Sequence, residues 1–251
     1  MNIINSLLLS SIAGLSTIFG SLIIFLKIKP SKYNKFICFC LAFSLSIMIS
    51  ISIFDLVPTY FINNIFIKGF LKTITTIIIV LLCSFIIIKI LEKLTDNLTE
   101  SKELYKLGLL NMFILILHNL PEGIATFMSS YNNLNLGIKL TIAIALHNIP
   151  EGISIAVPIY YSTKSKLRAF KATLLSGLSE PLGAIMAYLF LKKYITNNLV
   201  NFILLIVAGL MITLSIQEML PKAIKYKEKK YLLSGLILGF ILVIISLLLF
   251  K

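Results

Sequence analysis

Charged residues are scarce in this chain of 251 residues. Asp, Glu, Lys and Arg make up 13% of it, whereas hydrophobic residues make up 58% and the mean hydropathy is +0.99. Soluble domains carry about a quarter charged residues, so this chain cannot bury its apolar surface in a soluble globule. No soluble domain or Gly-rich phosphate-binding loop interrupts the apolar runs, which argues against an ATP-driven pump. The composition predicts an all-α polytopic membrane protein.

Eight apolar stretches are long enough to cross about 30 Å of hydrocarbon as α-helices. They span roughly residues 4–28, 35–58, 70–91, 107–130, 136–161, 168–191, 200–220 and 231–250. Little sequence is left over, so residues 1–251 are predicted to form a single transmembrane domain. The first stretch is longer than the apolar core of a signal peptide, and no basic region precedes it. We therefore interpret it as a retained helix.

Cysteine is also rare, and Cys38, Cys40 and Cys83 all lie within apolar stretches. Side chains two residues apart diverge on a helix, so Cys38 and Cys40 are poorly placed to pair or to bind one ion. We predict that the cysteines are small buried hydrophobic residues rather than disulfide partners or metal ligands.

Basic residues outnumber acidic ones by 23 to 10, which gives a formal net charge of +13. A nucleic-acid-binding surface is not the explanation, because the basic residues flank the apolar stretches as the positive-inside rule expects. Seventeen fall on the side of the first loop and six on the other side. The six are Lys68, Lys72, Lys139, Lys192, Lys193 and Lys251. This asymmetry predicts that the first loop is cytoplasmic and that both termini are extracytoplasmic.

A repeat relates the first third of the chain to the last third at an offset of 163 residues. The matched pairs include Gly14 and Gly177, Gly20 and Gly183, Met48 and Met211, Ser52 and Ser215, Asp55 and Glu218, and Pro58 and Pro221. The two helix triplets would cross the membrane in opposite directions, and inverted repeats are typical of secondary transporters with a site at their interface. Shared membrane composition is an alternative source of part of the match. The fourth and fifth segments would form a central pair between the triplets.

The only two histidines lie in a repeated hexapeptide, HNLPEG at residues 118–123 and HNIPEG at residues 147–152. His118 and Glu122 are four residues apart and therefore share one helix face, as do His147 and Glu151. Two such helices facing each other would form a metal site. The alternative is a structural histidine bonded to a neighbouring carboxylate, but two identical segments make it the weaker interpretation.

Five of the ten acidic residues lie inside apolar segments. They are Asp55, Glu122, Glu151, Glu180 and Glu218. A charged residue at the bilayer centre costs about 2.5–3.5 kcal/mol on insertion scales, so these side chains must face the protein interior, a cation or water. Each has a proline within three residues, and a proline inside a helix frees the carbonyl four residues before it. Pro58 and Pro221 fit either a helix end or a functional kink.

Imidazole, carboxylate and amide oxygen are ligands that suit zinc and iron and tolerate manganese. Asn119 and Asn148 follow the two histidines and could supply the amide oxygens. Glu122 and Glu151 could be shared by two ions, with Glu180 completing the second position.

These residues resemble the ZIP (Zrt/Irt-like) metal-ion transporter family, in particular its bacterial ZupT-like branch. The segments that carry the resemblance are KPS at 29–31, IMISISIFDLVP at 47–58, HNLPEGIATF from His118, HNIPEGISIAVPIY from His147 and SGLSEPLGA at 176–184. The resemblance implies an eight-helix fold in a 3+2+3 arrangement, extracytoplasmic termini and a binuclear site on helices 4, 5 and 6.

By motif position, the resemblance implies two neighbouring ions. The first would be bound by His118, Glu122, His147 and Glu151, and the second by Asn119, Glu122, Asn148, Glu151 and Glu180. Met48 resembles a methionine near the first ion in some relatives, although core packing is the simpler interpretation. Asp55, Gln217 and Glu218 join Met48 as candidate pathway residues. Many relatives have a His-rich loop between helices 3 and 4, whereas residues 92–106 here are short and lack histidine, so regulation through that loop is not expected.

The sequence therefore predicts a secondary transporter, not an enzyme, that carries Zn²⁺, Fe²⁺, Mn²⁺ or Co²⁺ inward across a bacterial cytoplasmic membrane. Its expected partners are the transported ion and the lipid bilayer, with no separate cofactor, no nucleic acid, and a homodimer left open. One rival is an intramembrane metal-dependent hydrolase, which needs an open metal position for water. HExxH is absent, and two near-identical motifs suit ion transfer better than asymmetric catalysis. The second rival is a passive metal channel, which the sequence does not separate from a carrier.

Overall fold

A computed structural model describes residues 2–98, 103–191 and 196–250 of the chain. Regular structure in these ranges is helical, without a strand, and eight helices are long and apolar enough to cross a membrane. The predicted all-α polytopic fold is therefore confirmed. Lys102, Lys192, Lys193 and Lys251, which enter the predicted charge asymmetry, lie outside the described residues.

The eight spanning helices are numbered α1 to α8 in chain order. Their bounds are α1 Asn2–Ser21, extended by a 3₁₀ turn at Leu22–Phe25; α2 Tyr33–Ile51, Ser52–Leu56 and Val57–Lys68; α3 Phe70–Leu98; α4 Glu103–Asn132; α5 Leu134–Thr163; α6 Lys166–Met186, followed by a π-helical turn at Ala187–Leu191; α7 Asn197–Leu214, Ser215–Met219 and Leu220–Lys225; and α8 Lys229–Phe250.

The helices α2 and α7 each contain a π-helical turn, at Ser52–Leu56 and at Ser215–Met219. These turns lie 163 residues apart, and each directly precedes the segment that carries Pro58 or Pro221. The helix continues beyond both prolines, so their interpretation as helix ends is wrong. Proline lacks the N–H that would continue the α-helical bonding pattern, and a single wider turn accommodates that loss without ending the helix.

The helices form two groups of four. Helices α1, α4, α5 and α6 all contact one another, while α2 packs against α3, α7 and α8, and α3 packs against α7. Contacts of α5 with α2 and α8, and of α4 with α3 and α7, join the groups. The 3+2+3 order along the chain thus becomes a 4+4 arrangement in space, in which the central pair α4 and α5 is enclosed by its own group and by part of the other.

The cysteines follow the prediction in part. Cys38 and Cys40 are buried in α2, where the Cys38 thiol donates a hydrogen bond to the carbonyl oxygen of Ala223 at 3.4 Å. Cys83 is instead exposed on α3, and all three thiols are free. The span Phe70–Thr95 is among the least buried of the eight, because α3 stands at the edge of the assembly. Residence in an apolar segment therefore does not decide which face of the helix a residue occupies.

Candidate metal centre

The two hexapeptides occupy the middle of α4 and α5, which are joined by a tight turn at Asn133. The Asn133 side chain accepts a hydrogen bond from the backbone N–H of Leu136 and so begins α5 immediately after α4 ends. The two helices run in opposite directions and lie against each other. The short turn thereby brings the motif of α4 next to the motif of α5.

The imidazoles and carboxylates of the two motifs meet directly. His118 Nε2 lies 3.3 Å from Glu122 Oε1 on its own helix and 3.2 Å from Glu151 Oε1 on α5. His147 Nε2 also lies 3.3 Å from Glu122 Oε1. One carboxylate oxygen of Glu122 is thus within contact distance of both imidazoles. The sequence prediction that these four side chains face each other agrees with this geometry.

Each asparagine of the motifs fixes its helix to a neighbouring backbone. Asn119 Nδ2 donates to the carbonyl oxygen of Ser176 on α6 at 3.1 Å, and Asn148 Nδ2 donates to the carbonyl oxygen of Ala13 on α1 at 2.9 Å. A carbonyl oxygen can only accept, so these bonds determine which amide atom is nitrogen. The amide oxygens Oδ1 of both residues are therefore left for another partner.

Glu180 reaches the same region from α6. Its side chain is buried, and Asn148 Nδ2 donates to its Oε2 at 2.9 Å. Asn148 thus connects Glu180 with the α5 motif, while Glu180 forms no hydrogen bond or ion pair with either histidine among the described residues. This position beside the asparagine, one step removed from the imidazoles, is where the resemblance placed the second ion.

The cluster contains many buried oxygens without a hydrogen-bond partner among the described residues. They are Asn119 Oδ1, Asn148 Oδ1, Glu122 Oε2, both carboxylate oxygens of Glu151, and Glu180 Oε1. Burying an unpaired polar group costs free energy, and burying an unpaired charge costs much more. The two buried ring nitrogens of His118 also lack a hydrogen-bond partner there, but the acceptor oxygens outnumber them, and a bound cation would stabilise such an excess of acceptors.

The imidazoles and carboxylates are not already arranged as a coordination sphere. Across the part of the chain that the structure describes, no three His, Cys, Asp or Glu side chains have the geometry of a formed metal site. The contacts of 3.2–3.3 Å between imidazole nitrogens and carboxylate oxygens occupy the space between these ligands. A metal ion would have to replace these contacts and draw the side chains around itself.

A cavity of about 420 Å³ leads to the cluster from the end of the bundle that carries the α4–α5 turn. His147 lines it together with Asp55, Thr59 and Lys139. The Thr59 hydroxyl donates to Asp55 Oδ1 at 3.4 Å. Asp55, one of the candidate pathway residues, therefore shares a cavity with the metal-ligand cluster, and Lys139 places a positive charge in it.

The other candidate pathway residues lie elsewhere. Gln217 and Glu218 line a separate cavity of about 320 Å³ with Lys222, and Glu218 forms an ion pair with that lysine. Met48 is fully buried in the main hydrophobic core. The structure thus places only Asp55 of this set in the cavity of the histidine cluster, and the pathway assignment stays a prediction.

Sequence reasoning did not single out Asn111 or Ser154. Asn111 Nδ2 donates to the carbonyl oxygen of Ser154 at 2.8 Å, and both side chains are buried. Pro158, four residues after Ser154, cannot donate the helical hydrogen bond that this carbonyl would otherwise accept. The sequence could have indicated Asn111, because it lies seven residues before His118 and therefore two turns away on the same helix face.

These features define a class: an all-helical polytopic membrane protein with a buried cluster of imidazole, carboxylate and amide groups at the crossing of α4, α5 and α6. A family model described as "ZIP Zinc transporter" matches residues 97–247. The chain belongs to this ZIP family, as relatives of similar length also show.

Three curated relatives illustrate the similarity, and all are named "Zinc transporter ZupT". The chain is 36% identical to the protein of Clostridium perfringens over 99% of its own length and 97% of the relative. It is 37% identical to that of Oceanobacillus iheyensis over 99% of its own length and 98% of the relative. It is 42% identical to that of Chlorobium chlorochromatii over 64% of its own length and 59% of the relative. The predicted ZIP family and ZupT-like branch are therefore confirmed.

Proposed function

We propose that this protein is a secondary transporter that moves divalent transition-metal ions, zinc first among them, across a bacterial cytoplasmic membrane. The observation that carries the proposal is the buried group of acceptor oxygens without donors, placed beside two imidazoles in the middle of two spanning helices. Such a group is costly without a cation and favourable around one. Family membership and the names of the ZupT relatives support zinc as the ion.

The proposed site is binuclear. His118, Glu122, His147 and Glu151 would hold one ion, and Asn119, Asn148 and Glu180 would hold its neighbour together with the two shared glutamates. The position of Glu122 Oε1 within 3.3 Å of both imidazoles supports a first ion that these three side chains bind together. The bond between Asn148 and Glu180 at 2.9 Å supports a second group of ligands on α5 and α6.

We propose inward transport, with the termini and the α4–α5 turn outside the cytoplasm. The cavity that contains Asp55, Lys139 and His147 would then admit ions from outside. The opposite side of the cluster is closed by the apolar core that includes Leu110, Ile155 and Ile159. An ion could leave toward the cytoplasm only after the two groups of helices shift relative to each other, which is the behaviour of a carrier rather than of a channel.

Uptake into proteoliposomes of the purified full-length chain tests the proposal. Zinc should accumulate with saturation in vesicles that contain the protein, and iron, manganese and cobalt should compete. Linear, non-saturating flux would favour the channel. No flux, combined with metal-dependent cleavage of a membrane substrate, would favour the hydrolase.

A further inference from the structure

The inverted repeat seen in the sequence is visible in the structure as a set of equivalent contacts. Gly14 of α1 and Gly177 of α6 face each other so closely that a Cβ on Gly14 would overlap the carbonyl oxygen of Gly177, and a Cβ on Gly177 would lie 2.6 Å from that of Gly14. These two glycines are partners at the offset of 163 residues. The approximate two-fold axis therefore passes through the crossing of α1 and α6.

The same operation relates the contacts that these helices make with the central pair. A Cβ on Gly152 of α5 would overlap the carbonyl oxygen of Thr17, and a Cβ on Gly123 of α4 would overlap that of Glu180. Gly123 and Gly152 hold the same place in the two hexapeptides, and Thr17 and Glu180 are again 163 residues apart. The contact between α5 and α1 thus mirrors the contact between α4 and α6.

The hydrogen bonds of the two asparagines are related by the same two-fold operation. Asn148 donates to Ala13 and Asn119 donates to Ser176, and each acceptor is the repeat partner of the other. One two-fold operation therefore exchanges α1 with α6 and α4 with α5. Every group that serves the metal cluster from α6 has a counterpart that approaches from α1.

Thr17 is the counterpart of Glu180, and the Cβ atoms of the two residues hold equivalent positions beside the crossing of α1 and α6. A Cβ on Gly14 would lie 2.8 Å from Glu180 Cβ, and a Cβ on Gly177 would lie 3.4 Å from Thr17 Cβ. The Glu180 carboxylate reaches the amide of Asn148. By the same operation, the Thr17 side chain is directed toward the α4 asparagine.

The Thr17 hydroxyl is a buried polar group whose hydrogen-bonding capacity is unused among the described residues. Thr17 is completely buried, and its Oγ1 has no hydrogen-bond partner among the described residues. Asn119 Oδ1, on the side chain that corresponds to Asn148, is also without a partner there. Buried threonines in helices usually bond a carbonyl of the preceding turn, as Thr173 does with Ala169 at 2.9 Å.

We propose that Thr17 is a positioning residue for the second metal ion: its hydroxyl bonds a water molecule that coordinates this ion on the α1 side of the site. The inference rests on the binuclear site proposed above. A threonine hydroxyl is attached to Cβ and is too short to replace the Glu180 carboxylate directly, so a water molecule spans the remaining distance. Because the threonine hydroxyl is neutral, only the carboxylates of Glu122, Glu151 and Glu180 balance the charge of two divalent ions. The positive charge of the ions exceeds the negative charge of these carboxylates, and this excess favours release of the ions.

Zinc binding to the purified full-length chain in detergent, followed by calorimetry, tests the inference. Thr17→Val removes the hydroxyl and keeps the shape, whereas Thr17→Ser keeps the hydroxyl. We expect Thr17→Val to lower the affinity for the second ion about tenfold and to leave the affinity for the first ion unchanged. Thr17→Ser should bind both ions as the wild type does. Thr173→Val is the matched control, because it removes an equally buried hydroxyl that is bonded within α6, and it should leave both affinities unchanged.

The outcomes separate the two proposals. Wild-type protein that binds one zinc ion or none would contradict the binuclear site and this inference with it. Suppose that the wild type binds two ions. If Thr17→Val then binds the second ion as tightly as the wild type does, or loses affinity for both ions equally, the role of Thr17 is overturned and the binuclear site is not. Exchange across the axis gives an independent test: Thr17→Glu/Glu180→Thr should recover the second ion that Glu180→Thr loses. A folded double variant that binds no better than Glu180→Thr would also overturn the inference.

Discussion

At the residue scale, the cluster is defined by an imbalance between acceptors and donors. Glu151 is completely buried; its Oε1 approaches only the imidazole of His118, at 3.2 Å, and its Oε2 has no hydrogen-bond partner among the described residues. A buried carboxylate with so few partners destabilises a fold by several kcal/mol. A cation bound at the proposed site would offset this cost.

The shared carboxylates should be the most sensitive residues. We expect Glu122→Ala and Glu151→Ala each to lower zinc uptake at least about a hundredfold, since each removes a charged ligand from both proposed ions. Glu180→Ala should have a milder effect, because Glu180 serves only the second ion. Uptake by whole cells, corrected for the amount of protein in the membrane, measures the effect. Glu228→Ala, at the start of α8, is the control and should transport normally; near-normal flux in both shared-carboxylate variants would contradict the site assignment.

The ligand types also set the selectivity. Imidazole, carboxylate and amide ligands should bind zinc, ferrous iron, cobalt and manganese, and cadmium as well. Magnesium should bind poorly, because it loses water reluctantly and prefers oxygen ligands in strict octahedral geometry. Competition for zinc binding in detergent measures this order directly. Magnesium that competes with zinc at equal concentration would rule out coordination by the histidines.

Zinc affinity should fall with falling pH. The imidazoles and carboxylates bind metal only in their deprotonated forms, so binding releases protons, and acid shifts the equilibrium toward the metal-free site. Equilibrium binding in detergent between pH 7.5 and pH 5.5 isolates this effect from any proton coupling of transport. The expected sign is weaker binding at the lower pH, and an affinity that stays constant would be incompatible with histidine ligands.

At the element scale, the glycine of each hexapeptide determines how closely the neighbouring helix approaches. Gly123 lies against the backbone of α6 and Gly152 against the backbone of α1. Glu180 thereby lies next to Asn148 of α5, and the backbone of Thr17 lies against the hexapeptide of α5. The His-Asn-x-Pro-Glu-Gly motif therefore combines candidate metal ligands, a backbone anchor and a packing surface within six residues.

Adding one methyl group at these glycines should disrupt the site. Gly152→Ala would push a Cβ into the carbonyl oxygen of Thr17, and the backbone there cannot move without displacing α1. We expect a loss of about 1–3 kcal/mol of stability, together with weaker metal binding. Phe66→Leu is the control: the Phe66 side chain is 93% exposed on α2, so the change alters no close contact between helices and should leave the stability unchanged. Thermal unfolding in detergent compares the two, and equal midpoints would argue against close packing of α5 on α1.

At the scale of the whole molecule, the two groups of four helices meet along α4 and α5. The candidate ligand cluster lies in the group α1, α4, α5 and α6, whereas Asp55 belongs to α2 of the other group and lines the cavity beside His147. A relative displacement of the groups would therefore change the access of the cluster to that cavity. The inverted repeat supplies equivalent surfaces on the two sides for such a displacement.

The charge asymmetry of the loops predicts the orientation of the whole molecule. A cysteine at Asn2 or at Asn133 should react with an impermeant thiol reagent applied outside the cell, and one at Ser165 should not. Asn133 and Ser165 make a matched pair, because both are helix N-caps whose side chains accept a backbone hydrogen bond. The native cysteines are first replaced, since Cys83 is exposed on α3. The opposite labelling pattern would overturn the predicted orientation.

The class of fold and the main candidate ligands follow from the amino-acid sequence without any knowledge of the packing. Apolar runs of spanning length leave the backbone only the helix as a way to pair its polar groups in a bilayer, so composition alone predicts α1 to α8. The spacing of His118 and Glu122, and its repetition at His147 and Glu151, places each pair on one helix face whatever the tertiary structure.

Which of these helix faces meet, and how closely, depends on the packing of the whole chain. The continuation of α2 beyond Pro58 depends on a π-helical turn, and the exposure of Cys83 depends on the position of α3 at the edge of the assembly. The packing of α1 on α5 depends on backbone contact between Thr17 and Gly152, which are far apart in the chain. Local spacing fixes the direction of a side chain along its own helix, whereas its partners are set by how separate helices pack, which no short segment of sequence specifies.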